Sequence, residues 1–245
     1  MPRFFINKKN ISNNTIIISG DESRHILKVL RLKLNDLITL FDAEGTAYES
    51  VINAVRKDEV TAEILKTSKD TNVNTSEMIL AQAVLKSKKM DIVVQKSTEL
   101  GISRIIPFFS SRTVPKWTQK KCAEKVSHWN NIMTASVKQS GIRKMPQVEQ
   151  IVSFDELVSF GLTMHKLVLY EKEKKSSLKD VINNIRLPSD IMIMVGPEGG
   201  FAQNEINKAI ENGFITVGIG DLILRAETVP ITVLSILQYE AGNLG

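Results

Sequence analysis

The chain has 245 residues, of which 42% are hydrophobic and 24% charged, an ordinary globular composition for one large or two small domains. Its one cysteine, Cys122, excludes an internal disulfide and a cysteine-based zinc cluster. No apolar run reaches membrane-spanning length and the N-terminus lacks the apolar stretch of a signal peptide, so we expect a cytoplasmic protein that uses neither membrane nor metal.

Positive charge is concentrated in the middle of the chain. Residues 82–147 hold thirteen Lys or Arg against three Asp or Glu, a local net charge of +10, whereas the whole chain carries +5. Such a stretch suits a surface that faces a polyanion, although solvated lysines spread around two helices would give the same pattern.

The N-terminal part is predicted to be a small β-barrel-like domain. Its β-rich runs are TIIISG, DLITLFDAEGTAYESVINAV and EVTAEILK, and the second of these turns at DAEG, where Gly45 can take a positive φ. One helix is predicted over DESRHILKVLRL, with Asp21 as its N-cap. The polar segment 66–77 is typical of a linker.

From residue 78 onward, strands and helices alternate, which predicts a parallel sheet with helices on both faces. The predicted strands are EMILAQAVL, ISRIIPFF, HKLVLY, DIMIMV and FITVGIG. The predicted helices are KKMDIVVQKSTELG, KCAEKVSHWNNIMTASVKQSG, SSLKDVINNI, NEINKAIENG and TVPITVLSILQY. The last helix is apolar nearly all round, so it must be buried, in part against the core or against another subunit.

Ligands of open α/β sheets bind at the carboxyl ends of strands, and glycine-rich turns follow two of the predicted strands. The turn VGPEGGF lacks the lysine and hydroxyl of a P-loop, because Phe201 and Ala202 follow its last glycine. Gly218 and Gly220 begin a dinucleotide fingerprint, but Ile223 stands where its third glycine belongs. Backbone amides with a nearby carboxylate suit a neutral or cationic ligand, although a tight turn that binds nothing remains an alternative.

Five blocks in chain order resemble the RsmE family, the ribosomal RNA uridine N3-methyltransferases of the knotted SPOUT superfamily. They are the N-terminal MPRFF with HILKVLRLKLNDLITLFD, then LKSKKMDIVVQKSTELGISRIIPFFSSRT, VKQSGIRKMPQV, VGPEGGFAQNEI and VGIGDLILRAETVPITVLSIL. Two details depart from the family pattern: Ala202 replaces a common serine, which removes a helix-capping oxygen, and Ala226, Val229 and Pro230 change the segment after Arg225.

The resemblance implies a PUA-like, RNA-binding β-barrel over residues 1–72 and, over residues 73–245, a SPOUT-type α/β domain with a parallel sheet and a C-terminal trefoil knot. It also implies a homodimer that binds S-adenosylmethionine in the knot and methylates N3 of a specific uridine in 16S rRNA, free or within the assembled small subunit. The cofactor-binding residues that it implies are Tyr170, Gly196, Pro197, Glu198, Gly199, Gly200, Ile219, Gly220, Leu222, Ile223, Leu224 and Arg225.

Methylation at N3 also requires the N3 proton to leave, so a base or an anion-stabilising group is expected. Arg225 is the predicted stabiliser of charge on the uracil, because its guanidinium is always ionised. Glu198 and Glu227 are the candidate bases, and a structural salt bridge between Arg225 and Glu227 is the alternative. The histidines, at positions 25, 128 and 165, lie outside the motif turns.

The resemblance assigns the basic side chains to RNA. The expected contacts are Arg3, Arg24, His25 and Arg31 on the barrel, with Lys86, Lys88, Lys89, Lys96, Arg112, Gln139 and Arg143 on the second domain. Phe108, Phe109 and Trp117 could stack on bases, although core packing is the more common role for aromatic residues.

Three rival functions remain open from the sequence. A non-catalytic RNA-binding or ribosome-assembly protein would share both domains. An α/β enzyme that binds a nucleotide phosphate is disfavoured by the missing P-loop lysine and third glycine. A related methyltransferase that acts on tRNA or on a ribose 2′-hydroxyl is the third possibility.

Overall fold

The computed structural model describes residues 1–69, 76–140, 142, 145–161 and 163–244. The chain divides into two compact units, one formed by residues 1–73 with 137–145 and the other by residues 74–136 with 146–245. None of the helices described is both long and apolar enough to cross a lipid bilayer.

The first unit contains a six-stranded sheet. Its strands are β1 (Arg3–Phe5), β2 (Ile11–Ser12), β3 (Thr15–Ser19), β4 (Leu37–Phe41), β5 (Thr46–Arg56) and β6 (Glu59–Lys69), in the order β1-β4-β5-β6-β3-β2. Among the described residues of this sheet, only the pairing of β1 with β4 is parallel. Alternate residues such as Ile16, Ile18, Ile38 and Leu40 point into one buried cluster, as the two-residue period of a strand requires.

The predicted β-hairpin at DAEG is confirmed, with Gly45 at a φ of 84° between β4 and β5. The predicted helix is shorter than expected: α1 (Asp21–Arg24) continues as one π-helical turn (His25–Val29) and then stops. It stops because Arg31 takes a φ of 53°, in the left-handed region. Asp21 is the first helical residue rather than the N-cap, a position that Gly20 occupies. The linker prediction is wrong for residues 66–69, which extend β6 alongside β5.

The second unit is built on a sheet in which every strand pair is parallel, as predicted. Its strands are β7 (Met78–Ala83), β8 (Arg104–Phe109), β9 (Gln147–Val148), β10 (Val152–Ser153), β11 (His165–Leu169), β12 (Ile191–Val195) and β13 (Phe214–Val217). The order is β10-β8-β7-β12-β11-β13, with β9 also paired to β8. The sequence did not predict the short strands β9 and β10.

Helices cover both faces of this sheet. They are α2 (Lys89–Glu99), α3 (Gln119–Ser140), α4 (Phe154–Val158), α5 (Leu178–Asn184), α6 (Gln203–Glu211) and α7 (Thr228–Glu240). Residues of α2, α3, α5 and α7 pack with one set of alternate strand residues, including Leu80 and Ile193, whereas α4 and α6 pack with the other set, including Ile79 and Met192. The sequence did not predict the short helix α4.

The C-terminal helix α7 is buried on one face only. Val233, Leu234 and Leu237 belong to the core cluster, but Ile236 is 38% and Tyr239 66% exposed. The apolar side chains of the opposite face are open to solvent in the single chain, so burial of this part of the helix against another subunit stays a prediction.

Candidate active site

A cavity of about 860 Å³ opens at the carboxyl ends of β11, β12 and β13, which are neighbours in the sheet. Three segments line it: the turn after Leu169, the turn after Val195, and residues 217–226 with Val229. The twelve residues that the resemblance assigned to cofactor binding all line this cavity: Tyr170, Gly196, Pro197, Glu198, Gly199, Gly200, Ile219, Gly220, Leu222, Ile223, Leu224 and Arg225.

The second of these segments is the tight turn that its glycines and proline predict. The Gly200 amide donates to the Pro197 carbonyl at 2.9 Å, and Gly200 takes a φ of 64°, which favours glycine. A Cβ on Gly196 would lie 3.1 Å from the Phe201 ring, and one on Gly200 would lie 3.0 Å from a Glu171 carboxylate oxygen. The positive φ favours glycine at position 200, and a side chain at either position would be tightly packed against its neighbour.

The first and third segments interlock around Gly218. A Cβ at this position would lie 2.5 Å from the Glu173 carbonyl oxygen, so only glycine fits. The Glu173 carboxylate accepts hydrogen bonds from the Lys175 and Ser176 amides and from the Thr216 hydroxyl, at 2.7, 3.2 and 2.7 Å. These bonds, the one from Lys175 first, lower the pKa of Glu173 and hold it as a carboxylate.

A lysine sits between the two candidate bases at the edge of the cavity. Lys89 Nζ lies 3.1 Å from Glu227 Oε2 and 3.6 Å from Glu198 Oε1, and the Lys86 amide donates to Glu198 Oε1 at 3.2 Å. Lys89 lines the cavity. Its ammonium therefore lies near two carboxylates, and an RNA contact by Lys89 stays a prediction.

Opposing influences act on the Glu227 carboxyl. Burial raises its pKa, but a backbone hydrogen bond, the Lys89 ammonium and the Arg225 charge more than offset that effect, so the pKa is lowered overall. Glu227 is therefore ionised at neutral pH and lies within ion-pair distance of Lys89. These properties make it a weaker proton acceptor than the sequence suggested.

Arg225 lines the cavity with an exposed side chain. Within the described part of the chain its guanidinium makes no ion pair, and the salt bridge to Glu227 considered from the sequence is not formed, because Glu227 pairs with Lys89. The Arg225 carbonyl instead accepts from the Thr228 and Val229 amides, at 2.8 and 3.1 Å. The start of α7 thus fixes the Arg225 backbone and leaves its charged group free for a ligand.

The apolar residues of the third segment differ in exposure. Ile219 packs against the core cluster, whereas Leu222 is 78% and Ile223 90% exposed. Ile219 is therefore placed to form a fixed part of the cavity wall. Leu222 and Ile223 form an apolar rim of the cavity that is exposed to solvent.

Glu205, which the sequence did not assign to the site, is a buried carboxylate that forms hydrogen bonds next to the glycine-rich turn. Glu205 is only 5% exposed and accepts from the Ser111 amide, the Ser110 and Ser111 hydroxyls, and the Ala202 amide. The last bond is the half of a capping box that survives without a side-chain oxygen at position 202. Next to these serines, Arg112 Nη1 donates to the Gly199 carbonyl at 3.0 Å. The loop after β8 is thereby fastened to the turn.

The predicted RNA contacts of the first unit are on its surface. Arg3, Arg24, His25 and Arg31 are all exposed, with Arg24 paired to Asp21. The His25 ring packs edge-on against Phe4.

In the second unit, Lys86, Lys88 and Arg112 are exposed, and Lys96 is paired with Glu99 at 2.7 Å. Gln139, which the unit assignment places with the first unit, is also exposed, and Arg143 lies outside the described residues. Phe108 is buried against Phe201, which confirms packing rather than base stacking for that ring.

In the part of the chain that the structure describes, no group of three His, Cys, Asp or Glu side chains is placed to bind a metal ion. His25, His128 and His165 do not line the cavity.

Comparison with known proteins identifies the architecture. Residues 72–238 match the family model of an RNA methyltransferase domain, and residues 18–65 match that of an RNA methyltransferase PUA domain. The ribosomal RNA small subunit methyltransferase E of Bacillus subtilis (strain 168) is 30% identical, over 100% of this chain and 98% of that protein. The chain belongs to the ribosomal RNA small subunit methyltransferase E family.

Further relatives agree with this assignment. The family member from Mesomycoplasma hyopneumoniae (strain 232) is 30% identical over 96% of this chain and 98% of its own length. The crystal structure of the Neisseria gonorrhoeae member, bound to S-adenosyl methionine, matches with a TM-score of 0.85 and 33% identity, over 98% of this chain and 97% of that one. The resemblance to the RsmE family, the α/β fold class with a PUA-like domain, and the enzyme class of RNA methyltransferase are thus confirmed.

Proposed function

We propose that this protein transfers a methyl group from S-adenosylmethionine to N3 of a uridine in 16S rRNA. The observation that carries the proposal is the cavity at the ends of three adjacent parallel strands, because the residues of two motifs shared with the RsmE family line it together. Its relatives are named as methyltransferases of small-subunit ribosomal RNA, and one was solved with this cofactor bound.

The residues of the cavity fit S-adenosylmethionine. A volume of about 860 Å³ holds a molecule of that size, and the wall residues Ile219 and Leu224 are placed to pack on the faces of a flat ring. Backbone groups of Gly196, Gly200 and Leu224 can bond the edge of an adenine. The nearby carboxylates Glu171 and Glu198 favour a positively charged ligand. When bound, S-adenosylmethionine supplies an electrophilic methyl group on a sulfonium.

The residues of the chain position the uridine and manage its proton. The N3–carbon bond forms in line as the carbon–sulfur bond breaks, and the N3 proton passes to a carboxylate or to water, so most of the rate enhancement comes from positioning. Arg225 stabilises the negative charge on the uracil with its unpaired guanidinium. Glu198 and Glu227 are the two candidate acceptors, and Glu227 is the one closer to the Lys89 ammonium.

The RNA is held by the exposed basic residues of both units. Arg3, Arg24, His25 and Arg31 lie on the PUA-like unit, and Lys86, Lys88 and Arg112 surround the approach to the cavity of the other. The target uridine must be unpaired or turned out of a helix, because N3 takes part in Watson–Crick pairing. Cytoplasmic rRNA, free or in the assembled subunit, is the substrate that we propose.

We further infer a homodimer, a C-terminal trefoil knot around the cofactor and a domain boundary at residues 72–73. The exposed apolar side chains of α7, Ile236 and Tyr239, support the dimer, since a partner would cover them. The knot and the domain boundary rest on the resemblance to the RsmE family.

The test is transfer of labelled methyl from S-adenosylmethionine to small-subunit rRNA, free and within assembled subunits, with the product identified by nucleoside mass spectrometry. 3-Methyluridine is the expected product. A different methylated nucleoside would indicate a related specificity, for tRNA or for a ribose 2′-hydroxyl. No transfer and no cofactor binding by isothermal titration would favour a non-catalytic RNA-binding protein.

A further inference from the structure

We propose that the segment from Arg112 to Lys125 forms a second RNA-contact surface, which binds phosphates of the strand that leads to the cavity. The inference rests on the proposed function and extends it to lysines assigned no role above. We call this segment the basic ramp. It comprises the loop after Ser111 and the first two turns of α3, and its cations are Arg112, Lys116, Lys120, Lys121 and Lys125.

The charge of the basic ramp is poorly neutralised. Five cations stand against one carboxylate, Glu124, which is paired with Lys121 at 2.9 Å. Lys116 and Lys120 are exposed, and neither has an ion-pair partner among the described residues. The first turn of α3 contains no acidic residue. A positive field therefore extends from this surface into solvent, as a phosphate-binding surface requires.

The basic ramp is held in place by aromatic packing. Trp117 packs edge-on against Phe109, with ring centroids 6.1 Å apart, and its ring also lies 6.1 Å from that of Trp129. Lys125 Nζ lies over the Trp117 ring, 5.6 Å from its centroid. The backbone directly after Lys116 is thereby anchored. An anchored cation loses less entropy when it binds a phosphate than one on a loose loop does.

The basic ramp begins at the active site. Arg112, its first residue, donates to the Gly199 carbonyl in the turn that lines the cavity, and Glu205 holds the two serines that precede it. A strand whose target uridine enters the cavity would therefore meet these cations on its way out. This location distinguishes the basic ramp from lysines scattered elsewhere on the surface.

The test compares two matched double variants by the salt dependence of their RNA affinity. Lys116→Gln/Lys120→Gln removes two charges from the basic ramp. Lys179→Gln/Arg186→Gln removes two exposed charges from the α5 region, which also have no ion-pair partner among the described residues. For a single-stranded rRNA fragment, the basic-ramp variant should lower the slope of log K against log salt by about 1.4, because each lost phosphate contact removes about 0.7. The control variant should leave the slope unchanged.

Kinetics give the second readout. The basic-ramp variant should raise KM for RNA roughly ten-fold near physiological salt, with kcat and the Kd for S-adenosylmethionine unchanged, because its charges position RNA and do not touch the reacting atoms. An unchanged slope and KM, in a variant that melts like the wild type, would overturn the basic ramp and leave the proposed function intact. A wild-type protein that neither binds nor methylates the RNA would overturn both.

Discussion

At the scale of single residues, the free guanidinium of Arg225 is the group on which the proposed chemistry most depends. Replacing it with alanine should reduce kcat by about 10² to 10³-fold, the usual effect of losing one donor that stabilises a developing anion. Thermal melting should be preserved, because the side chain is exposed and makes no ion pair with a described residue.

The measurement is single-turnover methyl transfer under saturating substrates, with Arg186→Ala as the control for loss of an exposed arginine. Arg225→Lys should remain impaired, since a lysine cannot reproduce the planar fork of donors. Wild-type rates in Arg225→Ala would show that the uracil anion is stabilised elsewhere.

The lowered pKa of Glu227 predicts how the stability of the fold depends on pH. A carboxyl whose folded pKa lies below its unfolded value of about 4.3 stabilises the fold above that pH, and the contribution disappears as the pH falls through the folded pKa. Glu227→Gln should therefore be about 1–2 kcal/mol less stable than wild type at neutral pH, since its pair with Lys89 is only partly open to water. The deficit should shrink as the pH falls below about 4.

Urea unfolding across this pH range measures the deficit. The control is Glu211→Gln, an exposed carboxyl in the last turn of α6. A deficit that stays constant with pH would mean that the pair with Lys89 is not its source.

At the scale of elements, the contact of Gly218 with Glu173 ties the end of β13 to the turn after β11. Gly218→Ala places a methyl group 2.5 Å from a backbone oxygen, so one of the two segments must move. We expect a loss of roughly 1–3 kcal/mol in the free energy of unfolding, as in other overpacked sites. The affinity for S-adenosylmethionine should fall at least ten-fold, because both segments line the cavity.

Gly161→Ala is the matched control, since a Cβ there meets nothing within 4 Å. Its stability should stay within about 0.5 kcal/mol of wild type. Differential scanning calorimetry and isothermal titration measure the two quantities. A Gly218→Ala variant that binds the cofactor normally would show that these segments need not interlock.

At the scale of the whole molecule, the open face of α7 predicts self-association. The double variant Ile236→Glu/Tyr239→Glu should convert a dimer into a monomer in light-scattering chromatography, because buried carboxylates without partners are strongly disfavoured. The control is Ile210→Glu, which charges an exposed isoleucine on α6. A wild-type protein that elutes as a monomer at micromolar concentration would contradict the inferred homodimer.

Much of this architecture could be predicted from the sequence, because its signals are local. Alternating apolar runs gave the parallel sheet, and the glycines at the ends of strands gave the turns of the cavity. Contacts between distant residues could not be predicted. The pairing of Lys89 with Glu227 and the bonds of Glu205 to Ser110, 95 residues away in the chain, depend on how the elements pack. Periodicity carries no information about such packing.

The wholly parallel sheet has a consequence for synthesis of the chain. Met78 in β7 pairs with Ile191 in β12. The edge of β7 that faces β12 therefore has no hydrogen-bonding partner until more than a hundred further residues have been synthesised. At about 5–20 residues per second, translation leaves this largely apolar strand without its neighbour for roughly 6 to 20 s. The apolar edge of β7 is thus open to aggregation during that interval, and the cofactor cavity cannot form until residues 217–229 have been synthesised.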